Sequence, residues 1–550
     1  MAILRVSRKQ FEKDIGKFDD KMENKIAMFG TPVELVDSEK IDIEIFPNRP
    51  DLLSYGNFKN SFLAFLGKTG KTGLRKIKVN NPEKNYNVTI DKSVEKVRPY
   101  TACAIVKNLK FNDERIKEMI DIQEKLHATI GRKRKKAAIG IYPMEKIKLP
   151  IKFEARKPDN IKFIPLESNR EMNGRQILSQ HPTGREYGFL LENFDTYPIF
   201  TDANNEVLSM PPIINSHKTG KISNETKEVF IECSGFDFNT LKKILNIIVY
   251  SLAEMGGKVY SMNLKYGNKI IATPDLAPES MKINIENVNK LLGLQLKEQE
   301  IKKLLEKMGY EYKNKSVLIP AYRVDVLHEV DLIEDIAIAY GYENFIPEIP
   351  QISTIGEQDK KEVIKKKIAD VLIGLGLLET SSYHLTTIED QIKKTGLNIF
   401  NPIEVSDSKT EYNILRQDLS HYMLKILSEN VDVEYPQEIF QIGKIFENKE
   451  NKIEEKEHLA FVLTPGNFTK AKQVLDYLSR MLNIKLETIN AKEPSDYFIY
   501  GRVADIKLNN MVIGKIGEVN PQILNNFKIK MPVTLLEINI EDILKELIGK

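Results

Sequence analysis

Four carboxylates gather in the short segment Tyr322–Tyr342. Asp331, Glu334 and Asp335 are spaced three and four residues apart, which places them on neighbouring parts of one helical face. Asp325 lies just upstream of the predicted helix. Several hard oxygen donors without a Cys or His among them suit magnesium better than zinc. The pattern therefore predicts a Mg²⁺ site at Asp325, Asp331, Glu334 and Asp335.

A second interpretation of the same acids needs no metal. Acidic residues in the first turn of a helix complement the helix dipole. An apolar stripe runs beside the acids at the same period and would dock the helix on a core; its members are Val330, Ile333, Ala337 and Tyr340. Spacing alone leaves both interpretations open.

The acidic segment also resembles a known family. Arg323-Val-Asp325 followed by Asp331-Leu-Ile-Glu334-Asp335 is similar to the magnesium-binding stretch of phenylalanyl-tRNA synthetase β subunits of the archaeal and eukaryotic-cytosolic type. Other segments resemble that family in the same order along the chain: I-F-P-N-R-P-D-L-L-S at Ile45–Ser54, P-P-I-I-N-S-H-K-T-G-K-I-S at Pro211–Ser223, and L-R-Q-D-L-S at Leu415–Ser420 with E-I-F-Q-I-G-K-I-F at Glu438–Phe446.

Length and charge limit the possible functions. A chain of 550 residues is too long for one hydrophobic core and predicts roughly three to five domains. The 81 basic and 78 acidic residues leave a formal charge of only +3, so any contact with nucleic acid must be local. The clearest basic run is Arg132–Lys136, which either meets phosphates or forms a solvated turn.

The cellular compartment is also indicated. Two cysteines, Cys103 and Cys233, are too few for a disulfide framework and fit a reducing cytosol. The N-terminus has no apolar signal region, and no apolar run approaches the roughly 18 residues of a membrane span. We therefore expect a cytoplasmic protein without a membrane partner.

The elements predict a multidomain α+β protein. Its expected parts are an N-terminal α/β domain (1–84), a mixed α/β domain (85–268), a small winged-helix-like module carrying the acids (269–350), and a domain with a larger antiparallel sheet and helices (351–550). The resemblance implies that the second domain edits mischarged tRNA and that the last one is similar to the catalytic domain of class II synthetases.

The last domain lacks the residues that synthesis requires. Class II synthetases hold the α- and γ-phosphates of ATP with arginines, whose planar fork binds two oxygens at once. No arginine lies between Arg416 and Arg480, and none follows Arg502. We expect this domain to be catalytically inactive and to pack against an α subunit that carries the ATP and phenylalanine chemistry, in an (αβ)₂ heterotetramer.

The resemblance also implies a hydrolytic pocket that removes tyrosine from the phenylalanine tRNA. A buried acceptor would favour tyrosine, because phenylalanine leaves that acceptor unpaired. Glu232 is the candidate acceptor, and His217 is interpreted as a solvated loop residue and not as the base. The residues expected to position the ester and a water are Ser209, Asn215, Thr219 and Ser234, and Gln123 matches another polar position of the family's pocket.

The predicted function is therefore ATP- and Mg²⁺-dependent attachment of phenylalanine to its tRNA by an α–β complex, with editing by this chain. A free-standing trans-editing hydrolase is one alternative, although it would not need the last ~200 residues. A non-enzymatic nucleic-acid-binding or scaffold protein is the other, although it would not need the carboxylates. Co-purification with a second chain containing the missing arginines would separate these possibilities.

Overall fold

The computed structural model describes residues 2–68, 70, 72–350, 352–396, 401–406, 408, 410–450, 452–492 and 496–549. The chain divides into two compact units, Met1–Ile349 and Pro350–Lys550. Within the described residues, no helix is both long enough and apolar enough to cross a membrane.

The first unit begins with a small α/β domain. Its elements are β1 (Ala2–Ser7), α1 (Arg8–Asp14), α2 (Asp20–Met28), β2 (Val33–Val36), β3 (Lys40–Ile45) and α3 (Tyr55–Phe65). The antiparallel sheet has the order β1-β3-β2. The sequence suggests Asp51 as the cap of a helix through 52–66, and this is wrong. Ser54 caps α3, whereas buried Asp51 accepts hydrogen bonds from Arg49.

A large mixed sheet forms the middle of this unit. Its strands and helices, in chain order, are β4 (Val79–Asn80), β5 (Asn87–Ile90), β6 (Tyr100–Lys107), α4 (Asp113–Ala128), β7 (Ala137–Pro143), β8 (Ile151–Arg156), β9 (Lys162–Phe163), β10 (Met172–Asn173), α5 (Gly174–Gln180), α6 (Pro182–Tyr187), β11 (Tyr197–Thr201), β12 (Val207–Met210), β13 (Ile214–Asn215), α7 (His217–Gly220), β14 (Val229–Gly235), α8 (Phe238–Glu254), β15 (Lys258–Tyr266) and β16 (Lys269–Thr273). The main path of the sheet is β13-β12-β11-β8-β5-β15-β6-β14-β7. The apolar helix α8 packs on β6 and β14, so these strands are buried on both faces.

A small module ends the first unit. It consists of β17 (Glu279–Lys282), α9 (Ile285–Leu292), α10 (Glu298–Lys307), β18 (Glu311–Lys313), β19 (Ser316–Ile319) and α11 (Glu329–Tyr340), with sheet order β17-β19-β18. Ile333 and Ala337 of α11 face the core, as the apolar stripe predicts, but Val330 is half exposed. Asp335 is buried, so the acids do not form one solvent-facing row.

The second unit contains a seven-stranded sheet covered by helices. Its elements are α12 (Lys360–Gly374), β20 (Leu378–Glu379), β21 (Leu385–Thr386), β22 (Ile414–Leu415), α13 (Ser420–Glu429), β23 (Gln437–Lys449), β24 (Lys452–Thr464), α14 (Phe468–Met481), β25 (Leu486–Asn490), β26 (Phe498–Leu508), β27 (Met511–Val519), α15 (Pro521–Asn526), β28 (Thr534–Asn539) and α16 (Glu541–Ile548). The order is β20-β23-β24-β28-β27-β26-β25, antiparallel except for β20 with β23. The predicted antiparallel sheet with flanking helices is therefore present.

Candidate active site

A cavity of about 600 Å³ opens in the mixed α/β domain, within the size range of small-molecule sites. Its walls are helix α4, strands β7 and β14, the β12–β13 region and the start of α7. The cavity brings together four of the six residues predicted for the hydrolytic pocket, which are Gln123, Ser209, Asn215 and Glu232.

Glu232 forms part of the cavity wall because the residue opposite it has no side chain. In the antiparallel pairing of β14 with β7, Glu232 faces Gly140. A Cβ atom on Gly140 would lie 2.6 Å from Glu232 Oε1 and 2.1 Å from the Tyr142 hydroxyl oxygen. Glycine within a strand commonly marks such a close approach. Only glycine at position 140 therefore leaves space for this carboxyl group and phenol.

The Glu232 carboxyl group is only partly hydrogen-bonded. The Tyr142 hydroxyl lies 3.3 Å from both Glu232 Oε1 and Asn215 Oδ1, and its single proton can serve one acceptor at a time. Among the described residues, Glu232 Oε2 and the Ser209 hydroxyl are buried without a partner. Unpaired buried polar atoms are costly, so these two atoms are suited to meeting a polar ligand group.

Burial raises the pKa of the Glu232 carboxyl group to about 8. Arg98, also buried, partly opposes this shift, while its own pKa falls to about 10 because of burial. At neutral pH Glu232 is therefore mostly a neutral acid that can donate one hydrogen bond and accept another.

This shift predicts a pH dependence of stability. The unfolded glutamate loses its proton near its ordinary pKa of about 4.3, whereas the folded one keeps it until about pH 8. Between these values the folded state binds more protons, so its stability falls as pH rises. Glu232→Gln should remove that loss. The free energy of unfolding of the variant, relative to that of wild type, should therefore increase by about 2 kcal/mol between pH 6.0 and pH 7.5. Chemical unfolding at both pH values measures this, with exposed Glu225→Gln as the control. Equal responses of both variants would contradict it.

Three side chains that the sequence did not single out as a group brace the cavity wall. Arg134 donates to the Ile213 carbonyl oxygen at 2.8 Å and to both Glu124 oxygens at 3.1 and 3.2 Å. His127 accepts from the Ile139 amide at 2.8 Å and lies 3.2 Å from Glu124 through its other ring nitrogen. Burial lowers the pKa of His127. Both ring nitrogens are engaged, so His127 positions the wall and is not free to accept a proton.

Two of the predicted pocket residues, Thr219 and Ser234, lie outside the cavity lining. Thr219 is fully buried, and its hydroxyl oxygen lies 3.4 Å from the carbonyl oxygens of Val207 and Leu208. The Ser234 hydroxyl accepts from Arg98 at 3.1 Å. Both hydroxyl groups are therefore engaged by other groups of the protein. His217 is exposed at the rim, as the solvated interpretation predicts.

The structure does not gather the four acids predicted to bind magnesium. Arg323 donates to both oxygens of Asp325 at 2.8 and 2.7 Å and to Asp335 at 2.7 Å. Tyr310 also donates to Asp335 through a short hydrogen bond. Burial opposes ionisation of Asp325, but the Arg323 charge keeps its pKa below the ordinary value. These two acids neutralise a buried arginine.

The other two acids are engaged differently. Asp331 Oδ2 accepts the backbone amides of Leu327 and His328, both at 2.7 Å, and so caps the start of α11. Glu334 is exposed. Among the described residues, no group of three or more His, Cys, Asp or Glu side chains could hold a metal ion. The arrangement of these residues does not fit a magnesium site, and magnesium binding stays a prediction.

Magnesium titration separates the two roles of the acids. If Asp331 acts as a cap, Asp331→Ala should cost about 1 kcal/mol of stability at every magnesium concentration. Exposed Glu334→Ala should change stability by less than about 0.5 kcal/mol. Thermal unfolding across a magnesium series measures both. A loss in either variant that grows with magnesium would instead restore the metal site.

The spacing of Gly140 and Tyr142, which are not among the predicted site residues, is a signal visible in the sequence. Gly140 and Tyr142 are two residues apart in the segment that forms β7, so their positions lie on the same face of that strand. The strand that pairs with this one is not encoded by local spacing, so the sequence does not connect either residue with Glu232.

Comparison with known proteins identifies the family. Three family models match: the B3/4 domain over residues 84–247, the tRNA synthetase B5 domain over 281–342, and the phenylalanyl tRNA synthetase beta chain CLM domain over 346–540. The cavity residues described above from Gln123 to Glu232 fall within the first of these.

Relatives match over nearly the whole chain. The phenylalanine–tRNA ligase beta subunit of Archaeoglobus fulgidus is 35% identical over 98% of both chains, and that of Pyrococcus furiosus is 39% identical over 89% of both. A crystal structure of an N-terminal fragment of the Pyrococcus horikoshii beta subunit is 37% identical, with a TM-score of 0.58, and covers 62% of this chain and 99% of the fragment. The chain thus belongs to the family of phenylalanine–tRNA ligase beta subunits.

Proposed function

We propose that this chain assembles with an α subunit as an (αβ)₂ complex and that its cavity hydrolyses tyrosine from mischarged phenylalanine tRNA. The observation that carries the editing role is the buried, unpaired Glu232 Oε2 in the cavity wall. Membership of a beta-subunit family supports the partner. The match to a B3/4 domain covers the cavity residues and supports its assignment as the editing site.

Discrimination would rest on the phenol group of the substrate. A tyrosine hydroxyl can both donate and accept, so it can pair with Glu232 in either protonation state. Phenylalanine would leave Glu232 Oε2 and the Ser209 hydroxyl unpaired in a desolvated pocket. Sites built to bind a hydroxyl reject the analogue that lacks it far more strongly than apolar pockets reject an extra hydroxyl group.

Hydrolysis requires a water to attack the ester carbonyl and a proton to reach the departing ribose oxygen. His127 has both ring nitrogens engaged, and His217 lies exposed at the rim. We therefore assign no side chain as the base. Asn215 and Gln123 line the cavity and would orient the ester and the water, with the substrate ribose hydroxyl assisting proton transfer.

The ion pairs of Arg323 with Asp325 and Asp335 limit the role that magnesium has in the proposed function. Magnesium accompanies ATP in the synthetic reaction, where it neutralises phosphate charge. Asp325 and Asp335 face Arg323, and no step in this chain is assigned to a metal.

A cytoplasmic location is also proposed, and the free, buried Cys103 and Cys233 agree with it.

Deacylation of pre-charged tRNA tests the editing role. The complex reconstituted from both subunits should release tyrosine from tyrosyl-tRNA much faster than phenylalanine from phenylalanyl-tRNA. Equal rates for both esters, or a rate no higher than that of the tRNA alone, would reject the proposed function.

A further inference from the structure

The basic run Arg132–Lys136 forms a left-handed turn beside the cavity. Arg132, Lys133 and Arg134 have φ values of 47°, 53° and 65°, a conformation that residues other than glycine and asparagine rarely adopt. Three consecutive residues of this kind indicate a conformation maintained by its surroundings. We call residues Gly131–Lys136 the basic turn.

The surroundings do hold the basic turn in place. The Arg134 and Lys136 amides donate to the carbonyl oxygens of His127 at 3.2 Å and of Gly131 at 2.9 Å. A Cβ atom on Gly131 would lie 2.7 Å from the carbonyl oxygens of both His127 and Ala137, so only glycine fits there. The Arg134 guanidinium group stacks 4.5 Å from the Tyr187 ring centre and lines the cavity. The turn is therefore fixed to the cavity wall.

The conformation divides the cations into two groups. Arg134 points into the wall, where its two terminal nitrogens donate to the Ile213 carbonyl oxygen and to the Glu124 carboxylate. Arg132 and Lys133, directly before it, are exposed. Lys221 is an exposed cation that also lines the cavity. Positive charge thus lies on the basic turn and at Lys221, on a chain whose formal charge is only +3.

We propose that the basic turn is a phosphate-binding site for the single-stranded 3′ end of the tRNA whose terminal ester occupies the cavity. This inference rests on the proposed editing function. An ester bound in the cavity is attached to the RNA chain, a polyanion that must extend out through the cavity opening. Each contact with a phosphate adds affinity that does not depend on sequence. Charge complementarity and continuity with the cavity favour this occupant.

The decisive variant is Arg132→Asn with Lys133→Asn. Asparagine tolerates the left-handed conformation, so the turn is retained and only its charge is lost. The matched control is Lys302→Asn with Lys303→Asn, two exposed lysines of α10 in the small module. Thermal unfolding should show no loss of stability in the first variant, because asparagine fits these φ values better than arginine or lysine.

The reconstituted complex should show a selective loss in the first variant. Losing two single-strand phosphate contacts should lower kcat/KM for tyrosyl-tRNA deacylation about 10-fold near 0.1 M salt and reduce the slope of log(kcat/KM) against log[salt] by about 1.4. The rate at saturating tRNA should stay close to wild type, and the α10 control should match wild type throughout. An unchanged kcat/KM and salt slope would overturn the proposal.

A binding measurement keeps this inference separate from the editing function. If the wild-type complex hydrolyses no tyrosyl ester, the editing proposal fails. Fluorescence anisotropy with a short single-stranded RNA then decides the binding site by itself. Weaker, less salt-dependent binding in Arg132→Asn/Lys133→Asn supports a phosphate site, and binding equal to wild type rejects it.

Discussion

The isolated chain is expected to catalyse no exchange of pyrophosphate with ATP in the presence of phenylalanine. The unit formed by residues 350–550 contains three arginines in its sequence, Arg416, Arg480 and Arg502. Arg416 is buried and donates to the carbonyl oxygens of Ser382, Tyr383 and Lys444. The Arg416 guanidinium group is therefore occupied and is not available to clamp a phosphate.

The two remaining arginines lie elsewhere in the unit. Arg502 forms an ion pair with Glu518 at 2.6 Å, and Arg480 lies in the last turn of α14. On β23, Lys444 is paired with Glu455. A lysine presents a single ammonium group and cannot replace the bidentate fork of an arginine.

Pyrophosphate exchange by purified protein measures this expectation, and adding the α subunit should restore full activity. Arg416→Lys in the reconstituted complex should leave the KM for ATP unchanged, because Arg416 is occupied by carbonyl oxygens. Robust exchange by the isolated chain, with contaminating synthetase excluded, would contradict the assignment of synthesis to the α subunit.

Glu232→Ala is expected to slow hydrolysis of tyrosyl-tRNA while leaving phenylalanine attachment unchanged. The substrate hydroxyl would lose its partner in a buried site, which costs about 1–3 kcal/mol, or roughly 5- to 150-fold in rate. Attachment should be spared because the proposal places synthesis on another subunit. Deacylation and aminoacylation by the same reconstituted complex measure both quantities.

Matched variants make this result specific. Glu232→Gln keeps the size of the side chain and both kinds of hydrogen bond, so its loss should be smaller than that of Glu232→Ala. Asn215→Ala should act in the same direction if Asn215 orients the ester, whereas His217→Ala should be mild because His217 is exposed. Unchanged hydrolysis in Glu232→Ala would remove Glu232 from the site. Complete loss in His217→Ala would identify that histidine as the base.

Local patterns sufficed for much of the secondary structure. The sequence predicts strands at 103–106, 137–141 and 229–233, and these coincide with β6, β7 and β14, respectively. It also predicts helices at 113–129 and 240–255, which coincide with α4 and α8 to within a few residues. The period of apolar residues determines such elements, because each buries one face or both faces of a regular backbone. The prediction of Asp51 as the N-cap of α3 is wrong because Asp51 and Ser54 both have suitable side chains, and local sequence does not distinguish them.

The acidic segment shows where local pattern stops being sufficient. The spacing of the acids places them along one short segment. It does not reveal that Arg323 forms ion pairs with Asp325 and Asp335. An arginine side chain and a metal ion can each neutralise the same carboxylates, and only the tertiary contacts show which of the two is present.

The sequence by itself determined the family, through ordered motifs spread over the chain, and the arginine content of residues 350–550, which is Arg416, Arg480 and Arg502. Only the tertiary structure decided which polar residues form the cavity. Strand register sets Glu232 against Gly140 and Tyr142, and the left-handed turn directs Arg134 inward. Register and turn geometry depend on contacts between residues distant in sequence, so no local pattern encodes them.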